Sequence, residues 1–162
     1  METPDTIKNH IRPGERYAVL GIGSALRSDD NAGMYFIESL RRMIRRDDVL
    51  FISGSNAPEN FTGVIKNFRP DKLFIIDAAR MGLKRGECMV LQESEIGGVS
   101  FSTHMLPLSV FISYLKSETG CRVVLVGIQP ECTDVGFRMC RAVRKGTEKL
   151  AGIFYEAFQS GT

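Results

Sequence analysis

Three side chains of this sequence are of the types and in the positions to do chemistry together: Asp30, Asp77 and His104. Asp30 is the second of two adjacent acids in the stretch 17–33, YAVLGIGSALRSDDNAG, where an apolar run and a glycine turn lead into a helical periodicity. Asp77 closes the apolar run Leu73-Phe74-Ile75-Ile76, and His104 stands in SFSTHMLP just ahead of a second helical pattern. Acids beyond the carboxyl ends of strands stand where open α/β sheets bind their ligands. Two carboxylates and an imidazole form a hard, mixed O/N set that suits a divalent first-row metal, nickel included. The same groups can polarise water for hydrolysis, with the imidazole titrating near neutral pH.

Each of these residues also has a purely structural reading. Asp29 or Asp30 can favour the start of a helix, Asp77 can hold a turn through its own side chain, and His104 can bond a backbone carbonyl from a loop. His10 lies in the polar segment 1–16 and reads as a surface residue. The residue types therefore point to a metal or hydrolytic site and name no substrate.

The elements that must position these groups read as alternating strands and helices. Apolar runs at 17–22, 49–52, 73–76, 88–91 and 123–126 have the length and composition of buried strands. Three- and four-residue apolar steps predict helices over 34–44, 59–67, 108–115 and 141–158. Gly21 and Gly23 allow a sharp turn or a close backbone approach after the first strand. The order implies one α/β domain over 17–162, a mostly parallel, twisted five-stranded sheet with helices on both faces in three layers. Residues 1–16 are expected to form a loosely held extension.

Composition narrows the function classes. At 162 residues, with 43% hydrophobic and 25% charged residues and a net charge of +2, the chain has globular values and no strong pull toward nucleic acid. The cluster Arg41, Arg42, Arg45 and Arg46 is explained by a solvated helix end. No apolar run approaches a membrane span, and the first residues lack the apolar core of a signal peptide. The four cysteines form no CxxC pair and fit reduced thiols in a cytoplasmic protein, with Cys88 and Cys121 in or beside strands. GIGSAL fails the dinucleotide pattern because Leu26 stands at the third glycine, and the following acids would repel phosphate. A P-loop and a GxSxG nucleophile are both missing.

The chain resembles the NiFe-hydrogenase maturation endopeptidases, most of all the HycI-like branch that serves hydrogenase 3 of formate hydrogenlyase. The likeness runs from Tyr17 to about Phe158 through GIGSALRSDDNAG at 21–33, SNAPEN at 55–60, LFIIDAARMG at 73–82, STHMLPL at 102–108 and VGIQP at 126–130. It implies the phosphorylase/hydrolase-like fold of that family. It also implies an aspartic-type endopeptidase that removes the C-terminal extension of a hydrogenase large-subunit precursor after nickel insertion, thereby activating another enzyme. The family's metal-binding trio falls on Asp30, Asp77 and His104. No permanent cofactor is expected; these residues would engage nickel carried by the substrate, and other divalent cations could occupy the site in vitro. A three-ligand site with open positions holds metal weakly, yet it can test whether metal is present. The expected enzyme is a cytoplasmic monomer that docks on its precursor, with no nucleic-acid partner and no membrane insertion. The alternative is a non-catalytic module that senses metal or chaperones a hydrogenase subunit.

The sequence departs from the family pattern in three places around the acids. Ser24 replaces an asparagine, Ser28 the glycine before the acid pair, and Asn31 the glycine after it. Asn tolerates a left-handed backbone, so position 31 is expected to absorb that change.

Overall fold

The computed structural model describes residues 1–101, 107–136 and 138–161. Its elements in chain order are β1 (Tyr17–Ile22), α1 (Ala32–Met43), β2 (Val49–Ser55), α2 (Thr62–Phe68) and β3 (Lys72–Arg80). They continue with β4 (Cys88–Leu91), β5 (Ser100–Phe101), α3 (Leu108–Thr119), β6 (Arg122–Ile128) and α4 (Arg141–Ser160). The main sheet has the order β2-β1-β3-β6-β4, with β2, β1, β3 and β6 parallel and β4 antiparallel to β6.

Strand pleating divides the core between two faces. Tyr17, Val19, Phe74, Ile76, Val124 and Val126 pack with α1 and α4, whereas Ala18, Leu20, Leu73, Ile75 and Leu125 pack with α3 and Ile65 of α2. With helices on both sides, β1 is buried at every position, which is why it reads as an unbroken apolar run. Edge-to-face aromatic pairs tie α4 to the sheet and to α1: Phe154 lies 5.1 Å from Phe74 and 5.0 Å from Phe36, ring centroid to centroid.

The expected three-layer, mostly parallel architecture is present, with six strands among the described residues where five were expected. The sixth, β5, is two residues long and carries no periodicity of its own. It pairs antiparallel with the end of β3, Ala79 with Phe101 and Arg80 with Ser100. That pairing, together with the β3–β6 ladder reaching Ala78, carries β3 four residues past the apolar run that ends at Ile76. Asp77 therefore lies within a strand, opposite Gly127.

The first sixteen residues, expected to be loosely held, pack against the domain. Glu2 and Val90 exchange both backbone hydrogen bonds at 2.8 Å, which extends the β4 edge. A short 3-10 segment, Pro4–His10, buries Ile7 completely among the residues of the α1/α4 face. His10 is correspondingly not a free surface group. Its ring meets Phe74 edge-on at 6.4 Å, and burial followed by the nearby Lys72 charge lowers its pKa. The Lys72 ammonium donates to the His10 carbonyl and lies 3.8 Å from Glu15, locking the segment to the start of β3. The arginine cluster at the end of α1 is partly structural as well: Arg46 pairs with Asp48 and donates to the Phe158 carbonyl. Arg41 donates to the carbonyl of Phe51 at 2.9 Å.

Candidate active site

The site is assembled where β1 and β3 end and α1 begins. Gly21 and Gly33 let α1 approach the sheet closely. A Cβ on Gly21 would sit 2.2 Å from the Gly33 carbonyl oxygen, and one on Gly33 would sit 2.4 Å from that of Ile76. Gly23 has a φ of 136°, and a Cβ there would lie 1.8 Å from the Asp30 carbonyl oxygen. Only glycine fits that contact. The chain then passes through a short 3-10 turn, Ser28–Asn31, into α1.

The two adjacent acids have separate tasks, and neither caps the helix. The residue before α1 is Asn31, which makes no side-chain cap bond. Asp29 is fully buried and gathers three backbone N–H groups from the segment after β6. Its Oδ2 accepts from Glu131 at 2.9 Å and from Cys132 at 3.1 Å, and its Oδ1 accepts from Cys140 at 2.7 Å. The amide of Asp29 donates to the Cys132 carbonyl at 3.0 Å. Asp29 thus staples the 131–140 segment to the start of α1, a role that its sequence position does not reveal.

Asp30 faces the other way. Its Oδ2 accepts from the amide of Ser24 at 3.0 Å, which fixes the carboxylate against the glycine turn. Among the described residues its Oδ1 has no hydrogen-bond donor, and the residue lines a cleft of about 110 Å³. The cleft is also lined by Arg27, Ala78, Arg80, Phe101, Pro130 and Thr133. Two consecutive residues of β3 project to opposite faces, so Asp77 shares the face of Leu73 and Ile75, toward α3, while Ala78 lines the Asp30 cleft. Asp77 is fully buried. The turn that carries Asp30 abuts β3 directly. His104 lies outside the described residues.

Ser28, not Asn31, takes the left-handed conformation in this loop. Ser28 has a φ of 38°, whereas Asn31 sits at φ −72° and ψ −2°. The replacement expected to need tolerance at position 31 therefore needs none. At position 28 a glycine would relieve strain, and the serine hydroxyl donates to the Arg138 carbonyl at 3.3 Å.

A larger cavity of about 300 Å³ lies among the Pro4–His10 segment, β4 and α4, and neither Asp30 nor Asp77 lines it. Its Cys88 thiol is pushed up to about 12 by burial, so it is no thiolate nucleophile at neutral pH.

The family model for HycI, described as a hydrogenase maturation protease, matches residues 34–157. The chain belongs to the hydrogenase maturation protease family. It is 35% identical over 162 residues to a Methanocaldococcus jannaschii protein named for this family, covering 96% of this chain and 95% of the relative. It is 32% identical over 133 residues to the hydrogenase 3 maturation protease of Escherichia coli K12, covering 82% of this chain and 84% of that one. The crystal structure of a NiFe hydrogenase maturation protease HycI from Thermococcus kodakarensis KOD1 matches with a TM-score of 0.83 at 30% identity, over 95% of this chain and 99% of that one. The fold described above is thus that of the maturation proteases. Membership makes the chain a peptide hydrolase and sets aside the non-catalytic module.

Proposed function

We propose that this maturation protease removes the C-terminal extension of a nickel–iron hydrogenase large-subunit precursor once nickel has been inserted. In this reading Asp30, Asp77 and His104 engage the nickel that the substrate brings. The observation that carries it is the Asp30 carboxylate, held by Ser24 through one oxygen while the other has no protein donor among the described residues in a cleft at the end of β3. An immobilised carboxylate with a free oxygen is suited to binding a divalent cation or to accepting a proton from water. Asp77, buried in β3, is a second carboxylate on the strand whose next residue, Ala78, lines the cleft.

Nickel bound between substrate and this trio would orient the scissile peptide and polarise its carbonyl. Water then adds to the carbonyl carbon while a carboxylate takes its proton. The C–N bond breaks as the amine leaves with a proton, in the manner of an aspartic-type hydrolysis. Without nickel the trio has nothing to bind, and the peptide is not positioned. The enzyme holds no resident metal in this scheme, and it acts as a cytoplasmic monomer. The likeness to the hydrogenase 3 maturation protease favours a client of that type.

The test is cleavage of the precursor by Asp30→Asn, Asp77→Asn and His104→Ala. Each is expected to abolish cleavage while leaving the unfolding midpoint close to that of the native protein. Full cleavage by any one of them removes that residue from the site.

A further inference from the structure

Two arginines share the cleft with Asp30, and the hydrolysis proposed above uses neither. Arg27 stands in the loop between β1 and α1, Arg80 ends β3, and both line the cleft. Thr133 holds them from one side: its carbonyl accepts from Arg27 Nε at 3.0 Å, and its hydroxyl oxygen accepts from Arg80 Nη2 at 3.4 Å. Among the described residues these are the only hydrogen bonds that either guanidinium makes, and neither enters an ion pair. A single unpaired surface arginine is ordinary. Two that converge on one threonine, at the rim of a cleft walled by a carboxylate, repel each other and leave several N–H donors each for an incoming group. Planar guanidinium donors match a carboxylate better than any other side chain does.

We infer that Arg27 and Arg80 form a recognition pair for an acidic side chain of the substrate peptide, beside the bond that is cut. The inference rests on the endopeptidase reading, because it places a peptide in the cleft. The cleft volume of about 110 Å³ is room for a side chain and not for a folded element. Next to Arg27 in the chain, Leu26 is 76% exposed; its carbonyl accepts from the amide of Gly136 at 3.2 Å, and Val135, beside that glycine, is 69% exposed. An acid followed or preceded by an apolar residue is the peptide chemistry this surface fits. Arg27 and Arg80 act here as specificity-determining residues, and Asp30 keeps the chemistry.

The experiment compares steady-state cleavage of the nickel-loaded precursor by the native enzyme and by the Arg27→Gln/Arg80→Gln double variant. A second precursor has each acidic residue within four positions of the cut replaced by its amide. The double variant is expected to raise KM at least tenfold with kcat within twofold. The amide precursor should raise the KM of the native enzyme equally but leave that of the double variant unchanged. A fall in kcat at constant KM would assign the arginines to the support of Asp30 and overturn the inference. So would equal losses from the amide precursor in both enzymes, or a precursor with no acid near the cut. If the native enzyme leaves the precursor uncut, the endopeptidase reading has failed separately and binding of the uncut precursors decides. Tenfold tighter binding of the acidic form by the native protein alone supports the pair, and equal binding overturns it.

Discussion

Replacing Asp29 by asparagine separates the two adjacent acids most sharply. The buried carboxylate accepts three backbone N–H groups, from Glu131, Cys132 and Cys140, at 2.7–3.1 Å. A hydrogen bond to a charged acceptor contributes about 1.5–3 kcal/mol, and one to a neutral acceptor about 0.5–1.5 kcal/mol. The best asparagine rotamer keeps its oxygen at the Oδ2 position, so the Glu131 and Cys132 bonds survive as neutral ones. Its amide nitrogen then confronts the Cys140 N–H, donor against donor. One charged bond is lost and two are weakened, for a sum of about 4 kcal/mol. Local release of the 131–140 segment lets water reach these groups and lowers the measured cost to about 2–4 kcal/mol. For a chain of this size that corresponds to a fall in Tm of roughly 10 °C. Urea unfolding measures the stability loss, and hydrogen exchange locates it, with protection lost first at the amides of 131, 132 and 140. Asp30→Asn offers the contrast: its oxygen can still accept from Ser24, so it should lose about 1 kcal/mol or less while cleavage stops. An Asp29→Asn protein with native stability and native exchange at those three amides would refute the staple.

Other positions yield equally direct expectations. Gly23→Ala forces a Cβ to within 1.8 Å of the Asp30 carbonyl oxygen at a φ of 136°, so it should cost more than about 2 kcal/mol and abolish cleavage by displacing Asp30. Ser28→Gly should leave the urea midpoint unchanged or raise it, whereas Ser28→Val, a β-branched residue at φ 38°, should cost about 2 kcal/mol. Stability should also depend on alkaline pH through the N-terminal lock. Burial pushes the Lys72 ammonium down to about 8 from its ordinary 10.5, so between those values the unfolded chain binds more protons and stability rises with pH. Burial pushes the Tyr17 hydroxyl up to about 12 from its ordinary 10, so the folded chain binds more protons there and stability falls above about pH 10. Urea midpoints measured across this range should pass through a maximum, and Lys72→Met should remove the rising limb.

What the sequence revealed and what it concealed divide along physical lines. Strands buried on both faces announce themselves, because Tyr17-Ala18-Val19-Leu20 and Leu73-Phe74-Ile75-Ile76 have no solvent side to make polar. Glycines 21 and 23 were legible as points of close approach, since no other residue fits the contacts they make. The two-residue strand β5 and the extension of β3 through Asp77 were hidden, as both depend on pairing between distant segments, β5 with the end of β3 and Asp77 with Gly127 of β6. Burial of the 1–16 segment was hidden for a similar reason. Its apolar residues Ile7 and Ile11 are too few for a periodicity, and they are covered by elements far along the chain. The task of Asp29 could not be read from its place ahead of a helix, because its donors lie 102 to 111 positions away. Arg27 and Arg80 gave no signal alone, and only Thr133 brings them together.

The nickel check is tested most directly by incubating the protease with nickel-loaded and nickel-free precursor and weighing the products by mass spectrometry. Loss of a C-terminal peptide from the loaded form alone is the expected result. Cleavage of both forms at the same rate would contradict recognition of the substrate's nickel by Asp30, Asp77 and His104.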